Sequence, residues 1–315
     1  MNVLVTGASG FVGRELVQAL SGRGHAVWGV GRNSPEDLPG CLTRYHCGDL
    51  ASDTALESFV REAHPDAVVH LAGQASVGAS WKDTLDTIDS SVVGSVGLYL
   101  TLRRTRAPVR VFVNIGSAEE YSPSDRPLTE DSALGPSNPY GITKVAQAQV
   151  LRLLCADASI PLVHFRPFNH IGPGQHVGFA IPDWTRQITK AAGNALKIRV
   201  GSLQAVRDFT DVRDIVRAYV AAAEGDVPEG TYNLSSGIGR TLRSVLEDLI
   251  HAAGVEAEIV VDSARFRPED VPTRIGSSEK IRNVTGWKPE IAWGTTLKDT
   301  LKWYSGNDSR PDGSP

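Results

Sequence analysis

The chain has 315 residues and no repeat of solenoid period, a length that one large domain or two closely associated ones would fill. Apolar residues make up 41%, charged residues 22%, and 36 acids against 32 bases leave a net charge of −4, which argues against a disordered chain and against a surface that binds nucleic acid. No run is long and apolar enough for a membrane span, the segment from Met1 to Gly13 lacks the basic leader of a signal peptide, and Cys41, Cys47 and Cys155 form no CxxC pair, so a cytoplasmic protein with reduced thiols is expected.

Asn2–Thr6 is a short β-branched run ended by glycines, and Gly13–Leu20 follows with helical spacing, so the chain opens as strand, tight turn and helix. The rhythm repeats. Strand-like runs at Ala26–Val30, Ala67–Leu71, Val109–Ile115 and Pro161–Phe165 alternate with helix-like segments at Thr54–Ala63, Leu85–Arg104 and Tyr140–Ala156, and a further short strand is expected before Gly48. Such alternation means parallel strands joined by right-handed helical crossovers, an α/β Rossmann-type doubly wound sheet. Beyond about residue 166 the pattern changes to a Gly/Pro-rich turn, a helix at Pro182–Ala192, an isolated strand at Leu196–Gly201, a helix at Asp211–Ala223, a strand at Tyr232–Leu234 and a helix at Leu242–Ala253. The expected division is a dinucleotide-binding domain of residues 1–170 and 209–235, a smaller α/β domain of residues 171–208 and 236–306 for the substrate, and a polar tail of residues 307–315.

Gly7, Gly10 and Gly13 are spaced as GxxGxxG between the first strand and the first helix, with Phe11 and Val12 inside the motif. Gly7 allows a sharp turn, Gly10 a close backbone approach to a pyrophosphate, and Gly13 close packing of helix on strand. After the second strand, where an NAD site offers a carboxylate to the ribose, the residues are Gly31, Arg32 and Asn33, and Arg32 suits a 2′-phosphate. NADP(H) is therefore expected ahead of NAD(H). Further on, Tyr140 and Lys144 lie i, i+4 on one face of a helix whose start is marked by Ser137, Asn138 and Pro139. An ammonium beside a phenol favours the phenolate, which would make Tyr140 a proton donor or acceptor near neutral pH. Ser117 stands at the end of another strand. His170 and His176 flank the Gly/Pro-rich turn without a third ligand at metal spacing, so no metal is expected.

The glycine motif, Ser117 and the Tyr140/Lys144 pair together resemble the extended short-chain dehydrogenase/reductase family, over nearly the whole chain. The resemblance implies that Ser117 bonds the reacting oxygen, that Tyr140 exchanges its proton, and that Lys144 also holds the nicotinamide ribose. It further implies that Asp49, followed by Leu50, accepts from the adenine amino group, and that Leu71, Ala72 and Gly73 line the cofactor channel, with Gln74 next toward the substrate. Four segments, Gly116–Tyr121, Arg166–Gln175, Arg207–Asp214 and Arg267–Pro272, are similar to the subgroup that holds the GDP-mannose 4,6-dehydratases and the reductases of GDP-4-keto-6-deoxy sugars.

That similarity implies reduction of a C4 ketone, GDP-4-keto-6-deoxy-D-mannose to GDP-D-rhamnose, on a nucleotide-diphosphate sugar. Glu119 keeps a second reading open, because in the dehydratases a glutamate here removes the C5 proton; a 4,6-dehydratase or 4-epimerase with internally recycled NAD(P) is the alternative. A non-catalytic NADP sensor has no use for Ser117, Tyr140 and Lys144 together. Asn169, Glu119, Glu269 and the cations Arg186, Lys190, Arg207 and Arg267 are expected to hold the sugar and its phosphates, Arg207 and Arg267 otherwise serving in surface pairs with Asp208 and Glu269. The helices at Leu85–Arg104 and Tyr140–Ala156 carry apolar residues on more than one face, as a homodimer interface would require.

Overall fold

The computed structural model describes residues 1–32, 38–51, 55–191, 196–265 and 271–306. Strands β1 (Asn2–Thr6), β2 (Ala26–Gly31), β3 (Arg44–Cys47), β4 (Ala67–His70), β5 (Val111–Ile115), β6 (Leu162–Pro167) and β10 (Gly230–Leu234) form one parallel sheet in the order β10-β6-β5-β4-β1-β2-β3. The register pairs Val5 with Gly29 on one side of β1 and with Val69 on the other.

These strands are apolar at nearly every position because both faces are covered. Val3, Val5, Val113 and Phe165 face the helices α1 (Phe11–Gly22) and α8 (Val212–Glu224), where Leu16, Val17, Leu20, Ile215 and Tyr219 meet them. Leu4, Val68 and Phe112 face the other way, against Leu56 and Phe59 of α2 (Ala55–Ala63), Leu98 and Tyr99 of α5 (Gly94–Thr105) and Leu151 of α6 (Pro139–Asp157). Full burial of each such side chain stabilises the fold by roughly 1.5–3 kcal/mol. The chain winds outward from β1 to β3 and then restarts on the other side at β4, so a crevice opens at the carboxyl ends of β1 and β4, where open α/β sheets bind ligands.

The helix expected over Leu85–Arg104 proves to be α4 (Thr84–Ile88), a π-helical turn at Asp89–Val93, and α5, preceded by a short unforeseen helix α3 (Val77–Lys82). The strand expected at Leu196–Gly201, β8 (Leu196–Val200), is not isolated: β12 (Ala257–Val261) pairs with it in parallel. A further small sheet is built on β9 (Val206–Asp211), which takes β11 (Gly239–Thr241) antiparallel and both β7 (Asn169–Ile171) and β13 (Thr273–Arg274) parallel. Helices α7 (Ala180–Lys190), α9 (Leu242–Ala253) and α11 (Trp293–Gly306) close over these strands around Trp184, Ile198, Phe209, Leu246 and Leu297. The last helix before α11, α10 (Glu279–Thr285), inserts Ile281 into the core beside α8. Among the described residues no helix is long and apolar enough to cross a membrane.

Candidate active site

Gly7 sits at φ +68°, a left-handed conformation that favours glycine, and it turns the chain from β1 toward α1. A Cβ on Gly13 would stand 2.1 Å from the Gly7 carbonyl oxygen, so no side chain fits where α1 presses on the loop. Gly10 is the N-cap of α1 and supplies no side-chain acceptor, which leaves the first helical N–H groups to a ligand. Above them lies a cleft of about 1350 Å³. Gly7, Gly10, Phe11, Val12, Gly13, Arg32, Asp49, Leu50, Leu71, Ala72 and Gly73 all line it, as do Gln74, Ser117, Glu119, Tyr140, Lys144, Asn169 and Arg207. At the rim Arg32, more than half exposed, pairs with Asp86 at 3.4 Å, and Asp49 Oδ1 accepts from the Ala51 N–H at 2.7 Å.

Past the end of β5, Ser117 caps a 3₁₀ turn over Ala118–Glu120. Its Oγ accepts from the Glu119 N–H at 3.1 Å, and its own N–H donates to Glu120 Oε1 at 2.9 Å. Glu120 is completely buried. Burial opposes its charge, but His164, Arg166 and the Ser117 N–H outweigh that and hold the carboxyl down at about 2. The Arg166 Nε donates to it at 2.8 Å, while His164 Nε2 lies 3.2 Å from both of its oxygens. Behind the serine, therefore, is a buried salt bridge that fixes the turn.

Asn138 Oδ1 caps α6 by accepting from the Gly141 N–H at 2.8 Å, and this start brings Tyr140 and Lys144 onto the cleft wall. Ser117 and Tyr140 line the same stretch of the cleft. The expectation that Lys144 draws the phenol down does not hold in this geometry. Burial pushes Tyr140 above its ordinary value, the Ser117 hydroxyl beside it acts in the opposite sense, and Glu119 and Glu120 raise it. Lys144 Nζ stands 5.8 Å from the Tyr140 ring centre and donates instead to the Ile115 carbonyl at 2.8 Å and to Gln147 Oε1 at 3.2 Å. Burial lowers this ammonium to about 8, with Glu120 acting in the opposite sense. Gln147 passes the chain of hydrogen bonds on to Ser95 Oγ at 2.8 Å, which contacts His70 Nε2 at 2.7 Å. Burial brings His70 down to about 3, so this network is neutral at pH 7 apart from Lys144.

Glu119 projects into the cleft, and its Oε2 accepts from Asn138 Nδ2 at 2.8 Å and lies 3.3 Å from Arg274 Nη2. Asn169 and His170 reach the cleft from β7, with His170 stacked on Phe11 at a centroid distance of 6.2 Å. Arg207 lines the cleft and its Nη1 donates to the Val271 carbonyl at 2.8 Å. The Asp208 beside it is not its surface partner, because that buried carboxylate accepts from Ser236 N–H, Gly237 N–H and Gly276 N–H. Arg186 and Lys190, expected from sequence to help hold the substrate, are not brought to the cleft wall. Both belong to α7 outside the cleft lining, Arg186 at 3.9 Å from Asp183 and Lys190 exposed. Arg267 and Glu269 lie outside the described residues. Among the described residues no group of three His, Cys, Asp or Glu is placed to hold a metal ion.

Comparison with known proteins gives this geometry its setting. The family model described as the NAD dependent epimerase/dehydratase family matches residues 3–235, well over half of the chain. The chain belongs to that family. Membership bears out the resemblance to the extended short-chain dehydrogenases/reductases, and relatives in the family set the scale of likeness. A GDP-6-deoxy-D-mannose reductase of Pseudomonas aeruginosa is 34% identical over 305 residues, 95% of this chain and 94% of that protein. A solved structure of RMD from Pseudomonas aeruginosa complexed with NADPH superimposes with a TM-score of 0.83 at 29% identity, covering 97% of this chain and 99% of that one. The UDP-glucose 4-epimerase of Thermotoga maritima, solved with UDP-glucose, gives a TM-score of 0.88 at 26% identity, covering 98% and 100%.

A nicotinamide dinucleotide, the group this family uses, fits the residues present. The loop has no room for a Cβ at Gly13, the α1 N–H groups are left open by Gly10, and Arg32 stands at the rim. Sequence reasoning did not single out three residues that bond to Ser117 or Glu119. Glu120 was detectable, since Ser117-Ala118-Glu119-Glu120 is an S-x-x-E capping box. Asn138 appeared only as a helix cap, and Arg274, in a two-residue strand, carried no motif of its own.

Proposed function

We propose that the chain uses NADP(H), with NAD(H) as a weaker substitute, to reduce the C4 ketone of GDP-4-keto-6-deoxy-D-mannose to GDP-D-rhamnose. The observation that carries the reading is the meeting of Ser117, Tyr140 and Lys144 on one cleft in a chain 34% identical to a GDP-6-deoxy-D-mannose reductase. When bound, the nicotinamide supplies the hydride that C4 receives. Ser117 Oγ, which already accepts from the Glu119 N–H, has its own O–H to give to the sugar oxygen. Tyr140, kept protonated by burial, holds its proton until charge develops on that oxygen and then gives it up. Lys144, fixed by Ile115 and Gln147, keeps a positive charge close to the phenol as this happens.

In this reading residues 1–170 and 209–235 hold the cofactor, and residues 171–208 and 236–306 hold the nucleotide sugar. Asp49 and Leu50 serve the adenine end, Gln74, Asn169 and Glu119 the sugar, and Arg207 its phosphates. Arg267 and Glu269 are assigned to the same end from sequence alone. The active species is a homodimer.

Glu119 supports the alternative, a 4,6-dehydratase or 4-epimerase that recycles its hydride, because it faces the cleft beside Ser117. The two are separated by counting NADPH. Reduction requires one NADPH consumed per sugar product formed; turnover of a nucleotide sugar with no net NADPH loss would replace reduction with dehydration or epimerisation.

A further inference from the structure

Arg274 lies on β13, where its register partner is Arg207 of β9, yet its side chain reaches the turn that carries Ser117. It is 2% exposed. Its Nη1 donates to the Ala118 carbonyl and lies 3.5 Å from the Tyr121 carbonyl, and its Nη2 is 3.3 Å from Glu119 Oε2. Asn138 Nδ2 donates to that same oxygen. Both contacts thus fall on one oxygen of a side chain that is 24% exposed to the cleft, which leaves Oε1 for a donor arriving from the cleft.

We propose that Arg274 is a positioning residue that pins Glu119 so that Oε1 accepts a hydroxyl of the bound sugar ring. The proposal rests on the nucleotide-sugar reading above and extends it to a pair of residues given no joint role there. The charges argue for coupling between the two. Burial disfavours the Arg274 cation, Arg207 disfavours it further, and Glu119 is the carboxylate that counters both. Arg274 without Glu119 would be a buried cation beside another cation, and Glu119 without Arg274 would keep, among the described residues, only the Asn138 bond and so be less firmly oriented. A carboxylate gripped from one side is a directional acceptor, and fixing it in advance spares the entropy of ordering it on binding. Because Arg274 also holds two carbonyls of the 3₁₀ turn, it ties the small sheet to the segment that presents Ser117.

The test is a double-mutant cycle on the full-length enzyme, reading KM and kcat for the 4-keto sugar, the NADPH Kd and Tm. Arg274→Met and Glu119→Gln should each raise KM about tenfold, with kcat and NADPH Kd nearly unchanged, and the double variant should cost little more than either single change. Arg274→Lys, which keeps a cation but not its planar fork, should restore part of the loss when Glu119 is present and none when it is Gln. If Arg274→Met does not fold, the Lys series carries the same comparison. Multiplicative losses approaching about a hundredfold would overturn the positioning role, as would a lower Tm with KM unmoved, the mark of an arginine that only braces the turn. An unmodified enzyme that neither binds nor turns over the GDP sugar would overturn the functional reading itself, a result distinct from an additive cycle in an active enzyme.

Discussion

Tyr140 illustrates how a residue's type can be readable while its electrostatics are not. The i, i+4 spacing with Lys144 puts both on the cleft, but the sign of the phenol's shift is set by burial and by two carboxylates distant in sequence from Lys144, Glu119 and Glu120. A phenol held above its ordinary value is protonated throughout the neutral range, the state an acid needs in a reduction. Tyr140→Phe should therefore lower kcat by about 10²–10⁴-fold, the span of a positioned general acid, with NADPH affinity retained. A kcat within a factor of about three of the unmodified enzyme would assign the proton to another group. Ser117, Lys144 and the three glycines, which the structure brings to one cleft, were legible as candidates because the proposed chemistry calls for those residue types at those spacings. Arg274 was not, since one arginine in Thr273–Arg274 gains meaning only when β13 brings it to Glu119, 155 residues away (274 − 119).

At the scale of elements, the 3₁₀ turn after β5 is held from below by Glu120, whose partners His164 and Arg166 come from β6. Parallel pairing of β5 with β6, Ile115 opposite Phe165, sets the distance between them. Glu120→Gln keeps the shape but leaves the Arg166 cation buried without its counter-charge, so the fold should lose about 3–5 kcal/mol at neutral pH, read by urea denaturation. The sign with pH follows from the depressed carboxyl. Its stabilisation is complete above its ordinary value of 4.5 and is lost as pH falls through about 2, so the gap between unmodified enzyme and variant should narrow across that window. A gap that widens on acidification would mean that Glu120 is not the ionised partner. The capping box and the apolar strand runs were open to sequence reading, whereas β7, β11 and β13 were too short to be, and β9 (Val206–Asp211) was hidden by its mixed composition, since such strands are specified by their neighbours. The π turn at Asp89–Val93 likewise interrupts a helical period that reads as continuous.

For the whole molecule, alternation of strands and helices was enough to indicate the doubly wound sheet, since apolar runs covered on both faces leave few other arrangements. The proposed homodimer rests on a subtler signature. Leu85, Ile88, Val93 and Leu100 remain exposed along α4, the π turn and α5, and Ile142 and Leu153 along α6, with Leu85 at 76% and Leu153 at 74%. Positions 93 and 100 lie seven residues apart and positions 142 and 153 eleven apart, and both spacings return to nearly the same side of a helix. Positions 88 and 93 are five apart across the π turn, whose i to i+5 hydrogen bonding keeps them aligned where an α-helix would rotate them apart. The π turn thus preserves one apolar stripe through the break. α5 and α6 also pack against each other, so the two stripes belong to one pair of helices that a second copy could meet as a four-helix interface. In the proposed homodimer Leu153→Glu would place an unpaired carboxylate between the subunits and should weaken association by at least about a hundredfold, an effect of roughly 3 kcal/mol, while the monomer, in which position 153 already faces water, keeps its Tm. Sedimentation velocity over a concentration series measures both species. An unmodified chain that sediments as a monomer at every concentration, or a Leu153→Glu variant as dimeric as its parent, would remove this pair of helices as the interface.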